Sequence, residues 1–78
     1  MTLNDLEVGS SAVITEVGGE GNLRLRLLDM GLIPKTAVRV VRIAPLGDPI
    51  EIELRGYSLT LRRNDAKNIV VSRSEVLI

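Results

Sequence analysis

The chain has no cysteine and no histidine, which excludes disulfides and removes the soft ligands of a structural zinc site. The same absence removes the usual nucleophilic constellations, in which a histidine activates serine or cysteine. Serine with lysine remains formally available, but nothing in the spacing of Ser58, Ser72 or Lys67 assembles it. No catalytic residue is assigned and no enzyme activity is expected. Phenylalanine and tryptophan are also missing, and Tyr57 is the lone aromatic residue. Bases therefore have no set of rings on which to stack. Ten basic residues balance ten acidic ones and intermix with them, so the positive field that nucleic-acid binders use is absent. Nucleic acid is not an expected partner. No apolar run approaches the roughly twenty residues of a membrane span, and no basic stretch precedes an apolar run at the N-terminus. A cytoplasmic protein without direct membrane insertion is expected.

What is present is a hydrophobic fraction of 45% in 78 residues, which argues against disorder. Residues 1–78 are expected to form one domain of modest stability, because ordering costs about 1.5 kcal/mol per residue. Leu3 and Leu6 pin an N-terminal turn. Ser11 to Val17 is rich in β-branched residues and ends at Gly18-Gly19, the pattern of a first strand. Ala37 to Ile43 is a second strand, in which Val38 and Val40 share one face while Val41 and Ile43 share the other. That change of parity predicts a bulge or bend. Ala44 to Pro49 is a loop, its two prolines unable to donate to a sheet.

Beyond the loop, Ile50, Ile52 and Leu54 alternate with Glu51, Glu53 and Arg55. After Gly56, Tyr57, Leu59 and Leu61 alternate with Ser58, Thr60 and Arg62. This is a hairpin. Pairing Leu54 with Tyr57, Ile52 with Leu59 and Ile50 with Leu61 puts the apolar residues on one face, and a slip of one residue would oppose isoleucines to polar side chains. Arg63 to Asn68 reads as a helical turn, and Ile69 to Ser72 as a last strand before a tail expected to fray. Five short strands with one inserted helix after the first predict an all-β small barrel, whose closure would remove sheet edges.

The helix is the segment from Asn22 to Met30. Leu23, Leu25 and Leu27 alternate with Arg24 and Arg26 and would also suit a strand, so its end decides. Gly31 can adopt the left-handed conformation that closes a helix, Leu32 can pack back on Leu27, and Pro34 blocks continuation. Asn22 is the expected N-cap. On a helical wheel Leu23, Leu27 and Met30 form one stripe, while Leu25 and Leu28 fall nearly opposite, among Arg24, Arg26 and Asp29. That second patch is either an interface with a polar rim or is covered by the loop Ala44 to Pro49 or the N-terminal segment. Leu46, at the tip of the proline-flanked loop, is a further contact candidate.

Other motifs weigh less. Gly18 to Gly21 lies between a strand and a helix but has no lysine, and Glu20 repels an anion, so it is a turn and not a phosphate cradle. Glu51 and Glu53 share a face and, with Asp48, could present oxygens to a hard cation. The commoner arrangement is the solvent face of a hairpin, with Glu51 diagonal to Arg62. No metal ligand is assigned and no cofactor is expected.

Three segments resemble the FeoA family in the family's order: Arg26-Leu-Leu-Asp-Met-Gly-Leu-Ile-Pro34, Val38-Arg-Val-Val-Arg-Ile-Ala-Pro-Leu-Gly-Asp-Pro-Ile50, and Arg55-Gly-Tyr-Ser-Leu-Thr-Leu-Arg-Arg63, with Ala66 and Ile69 following in family spacing. One position departs: the family usually has glycine after this proline, and here it is Lys35. The turn is then type I, or holds Lys35 under strain. The resemblance implies an SH3-like barrel with an inserted helix, and a non-enzymatic role in ferrous iron uptake beside FeoB, a membrane permease with a cytosolic GTPase domain. Arg24, Leu25, Arg26, Leu28, Asp29, Leu32 and Leu46 are the residues expected to meet that partner, and the same patch could serve self-association. The alternative is a metal-responsive regulatory module, in which Asp48, Glu51 or Glu53 holds a divalent transition metal and alters affinity for a repressor or GTPase.

Overall fold

Alternation of apolar and polar residues through residues 50–61 leaves one way to hide the apolar set, and the hairpin takes it. In the computed structural model, which describes residues 1–73, Leu54 pairs with Tyr57, Ile52 with Leu59 and Ile50 with Leu61. The two residues between the strands, Arg55 and Gly56, both have positive φ, at 51° and 82°. That is the signature of a type I′ turn, whose twist matches that of the strands it joins.

The elements run as a 3-10 turn (Leu3–Asp5), β1 (Ser11–Val17), α1 (Asn22–Asp29), β2 (Ala37–Ile43), β3 (Ile50–Leu54), β4 (Tyr57–Leu61), α2 (Arg63–Ala66) and β5 (Ile69–Arg73). The strands form one antiparallel sheet in the order β4-β3-β2-β1-β5. The sheet bends at irregularities in two strands. One lies in β2 between Val40 and Arg42, where the sequence parity changes, and the other in β1 between Ile14 and Glu16. The bends curl the sheet round a core that includes Ile14, Val38, Val40, Ile52, Ile69, Leu27 and Leu32, with Leu3 and Leu6 of the N-terminal turn at its edge. This is the five-strand, single-insertion architecture expected from the sequence. Closure is less complete than expected: among the described residues no ladder joins β4 to β5, and both remain sheet edges. The edge of β5 is partly covered by the N-terminal segment, through a Thr2 to Val70 bridge and a 2.9 Å bond from the Val71 amide to the Met1 carbonyl. The tail expected to fray lies beyond Arg73, outside the described residues.

Helix α1 ends as its sequence requires. Gly31 has φ of 99°, its amide donates to Leu28 O at 3.0 Å, and the Leu32 amide donates to Leu27 O at 3.2 Å. This is a Schellman closure, in which a left-handed glycine lets two orphan carbonyls find donors. The start of α1 differs from expectation. Gly21, with φ of 55°, is the N-cap, no side chain caps the helix, and Asn22 is already its first residue. The reversal of direction between β1 and α1 needs a positive φ at that position, which glycine adopts without cost and asparagine would not.

After the helix, Thr36 N–H donates to Ile33 O at 3.2 Å across Pro34 and Lys35. Lys35 has φ of 74°, so the turn is type II and Lys35 carries the strain that glycine would avoid. The turn is held in place regardless, because the Lys35 amide donates to Ile14 O at 2.7 Å and the Ile14 amide to Thr36 O at 2.9 Å.

Releasing a left-handed non-glycine residue is worth about 1–2 kcal/mol, against about 0.4–1 kcal/mol for the extra freedom of glycine in the unfolded chain. Lys35→Gly is therefore expected to raise stability by about 0.5–1 kcal/mol, seen as a higher urea midpoint at unchanged slope; a lowered midpoint contradicts the strain argument. At Gly31 a methyl group would overlap the Tyr57 hydroxyl. Gly31→Ala should cost about 2–4 kcal/mol through backbone and packing together, and less in a Tyr57→Phe background, where the obstructing oxygen is gone. Equal costs in both backgrounds would show that the hydroxyl is not the obstacle.

Candidate interaction surface

Helix α1 is fixed at both ends and along its side. Near its start, Arg24 Nε donates to Val17 O at 3.1 Å. Midway, an Arg26 Nη2 lies 4.0 Å from Asp65 of α2. At its end, the Tyr57 hydroxyl donates to Met30 O at 2.8 Å. Tyr57 thus ties the hairpin to the last helical carbonyl, a role that nothing in its local sequence announces. Leu27 is buried, and Leu23, Leu28 and Met30 pack partly buried against the core.

Two expectations change here. Leu28 is not on an unclaimed face; it packs against the core. Leu32 has no accessible surface and cannot touch a partner. Both lie where the chain folds back on itself at Gly31, and that reversal encloses the last turn of the helix on more than one flank. Leu25, one turn earlier, escapes: 58% of its surface is exposed. Neither the loop nor the N-terminal segment covers it. The exposed face of α1 consists of Leu25 among Asn22, Arg24, Arg26 and Asp29.

The loop between β2 and β3 presents a second apolar point. Leu46 is 97% exposed, on a turn closed by the Gly47 amide donating to Ala44 O at 2.7 Å and by the Ala44 amide donating to Pro49 O at 3.0 Å. Arg63, at the start of α2, binds this loop. Its Nε donates to Gly47 O and its amide donates to Asp48 Oδ1 at 3.0 Å. Its Nη1 reaches the N-terminal turn, donating to Asn4 Oδ1 at 2.7 Å and Asn4 O at 3.2 Å. In the sequence Arg63 reads only as the start of a helical turn, and a basic residue there carries no signal of a clamp.

The acids considered for a cation are each engaged. Glu51 pairs with Arg42 at 3.6 Å and Glu53 with Arg39 at 3.9 Å. Both arginines are cross-strand neighbours on β2. Glu51 is thus ion-paired to Arg42 on the β2 side, while its pairing with Thr60 leaves Arg62 diagonal to it on β4, as the hairpin register requires. Asp48 accepts from the Arg63 amide. Among the described residues no three acidic, histidine or cysteine side chains converge in a metal-binding cluster. No helix among them is long and apolar enough to cross a membrane.

Comparison with known proteins bears on the family and the fold. The family model described as the FeoA domain matches residues 1–73. A fusion of Fe(2+) transport protein A with the Fe(2+) transporter FeoB, from Porphyromonas gingivalis, is 42% identical over 71 residues, which are 91% of this chain and 8% of that protein. A putative Fe(2+) transport protein A from Campylobacter jejuni is 32% identical over 92% of this chain and 97% of its own length. Among solved structures, FeoA from Chlorobium tepidum superposes with a TM-score of 0.85 at 45% identity, covering 94% of this chain and 70% of that one. FeoA from Stenotrophomonas maltophilia, described as a prokaryotic SH3 domain protein and complexed with zinc, superposes with a TM-score of 0.81 at 30% identity, covering 92% and 89%. A manganese-dependent transcriptional repressor shares the fold alone, at 14% identity and a TM-score of 0.87. With its SH3-like sheet, its single helix after β1 and this match along residues 1–73, the chain belongs to the FeoA family.

Proposed function

We propose that this protein is a non-enzymatic accessory of ferrous iron uptake, working in the cytoplasm as one domain that docks on the cytosolic region of a FeoB-type GTPase-permease. The observation that carries this reading is the relative in which the same domain and FeoB form a single polypeptide. Covalent fusion keeps two domains at high effective concentration, which is useful when their contact is modest in size. The surface supports a modest contact. Leu25 supplies apolar area, and Arg24, Arg26 and Asp29 form a rim of both signs, with Leu28 at its inner border and Leu46 as a separate point. An apolar centre with a polar margin is the usual build of such an interface.

A second reading, a metal-responsive regulatory module, draws on the zinc complex of the Stenotrophomonas relative. Here a cation at Asp48, Glu51 or Glu53 would have to displace two arginines and a backbone amide from those carboxylates. Titration with ferrous or manganous ion distinguishes the readings, since localised amide shifts at these three acids at micromolar metal belong to regulation and their absence to docking.

Amide shift mapping with the cytosolic region of the FeoB-type permease from the same organism should perturb Leu23 to Met30 first. Shifts confined to the hairpin 51–63 would move the contact away from α1. Leu25→Asp should abolish these shifts while changing stability by no more than about 0.5 kcal/mol, as expected for an exposed site. Leu28→Asp should lower stability by about 2–3 kcal/mol, because it places a carboxylate against the core. A Leu25→Asp protein that unfolds, or one that still binds, would contradict the assignment of this face.

A further inference from the structure

The loop that carries Leu46 combines full exposure of an apolar side chain with an unusual amount of bracing. Two backbone bonds close it, Arg63 holds the Gly47 carbonyl, and the Arg63 amide holds Asp48. Through Asn4, the same guanidinium fastens the arrangement to the N-terminal turn. A leucine left at the tip of a loose loop would have to be ordered on binding, which weakens association. One already held outward does not carry that cost.

We propose that residues Ala44–Pro49 form a preorganised anchor, in which Arg63 holds Leu46 outward to enter a small apolar pocket on the permease's cytosolic region. This inference rests on the docking function proposed above and names a second contact for it. The loop's chemistry favours a protein pocket over a lipid surface. A lipid surface needs several apolar side chains beside an excess of base, whereas Leu46 is a single exposed apolar side chain on a loop whose acid, Asp48, is engaged by Arg63. A second copy of this chain offers an open depression of mixed lining, with Ala37, Val38 and Leu54 beside Arg39, Glu53 and Arg55; self-association through it would show as a change of oligomeric state on Leu46→Ala in the absence of the permease, and would overturn the anchor. A pocket with an apolar floor and a polar rim fits the loop, and a partner fused to this domain in a relative can use a single anchor effectively.

The test is a binding titration of the full chain against the permease's cytosolic region, with unfolding curves of every variant. Leu46→Ala should weaken binding about thirtyfold, the loss typical of a central anchor, without moving the unfolding midpoint, because the side chain is 97% exposed. Arg63→Lys keeps the charge but removes the Nε donor, and in that background Leu46→Ala should cost clearly less, since the leucine is no longer held in place. Should Arg63→Lys fail to fold, Asp48→Ala makes the same comparison by removing the acceptor of the Arg63 amide. A Leu46→Ala protein that binds within twofold of the parent while Leu25→Asp does not bind would overturn the anchor and leave docking intact. Failure of the parent chain to bind would overturn both. An undiminished Leu46 effect in the Arg63 or Asp48 background would overturn the positioning role of Arg63.

Discussion

The reversal of the chain at Gly31 is the constraint on which the arrangement of the helix depends. A single left-handed residue lets Leu32 return its amide to Leu27 and its side chain to the core, and it leaves room for the Tyr57 hydroxyl to reach the carbonyl of Met30. These features occupy one small volume and exclude one another's alternatives. A side chain at residue 31 would displace the tyrosine, and loss of the tyrosine would free the end of the helix from the hairpin. The orientation of α1, and with it the direction in which Leu25 points, follows from this junction.

The rest of the surface is organised by restraint of loops. Among the described residues Lys35 and Arg55 are the non-glycine residues with positive φ, and they belong to adjoining turns, since Arg55 Nη2 donates to Thr36 Oγ1 at 3.2 Å. A domain of this size lacks the core area to absorb such strain freely. The strained turns are instead held by long-range hydrogen bonds: Lys35 to Ile14, Arg55 to Thr36, and, at the other end of the hairpin, Arg63 to Gly47 and Asn4. The exposed ion pairs Arg39 with Glu53 and Arg42 with Glu51 add little by comparison, because solvent screens them. They do keep the outer sheet face close to neutral and occupy the carboxylates that a cation would need.

Much of the fold was legible in the sequence because it is encoded in local periods. The hairpin register was readable from alternation, since a shift by one residue would have buried Arg62 or Thr60. The bulge in β2 was readable from the change of parity at Val41, and the end of α1 from Met30-Gly31-Leu32 followed by Pro34. The candidate site was legible only in part. A helical wheel treats Leu25 and Leu28 alike, roughly 60° apart, but a wheel knows nothing of what lies beyond the helix end. The N-cap differs from expectation for a related reason: Asn22 has the better capping side chain, but the path from β1 into α1 takes the positive φ of Gly21.

The sequence by itself determined the strands, the hairpin register, the closure of the helix and the absence of thiol and imidazole chemistry, because each depends on residue type, side-chain alternation or the φ preferences of glycine and proline over a few neighbouring positions. Tertiary structure alone decided that Leu25 faces outward while Leu28 packs against the core, that Tyr57 binds the end of the helix, that the glutamates of β3 pair with the arginines of β2, and that Arg63 binds the loop at Gly47 and Asp48 while reaching Asn4, 59 positions away. Those outcomes depend on which elements come into contact once the sheet has bent, and contact between distant segments leaves no period in the chain to be read.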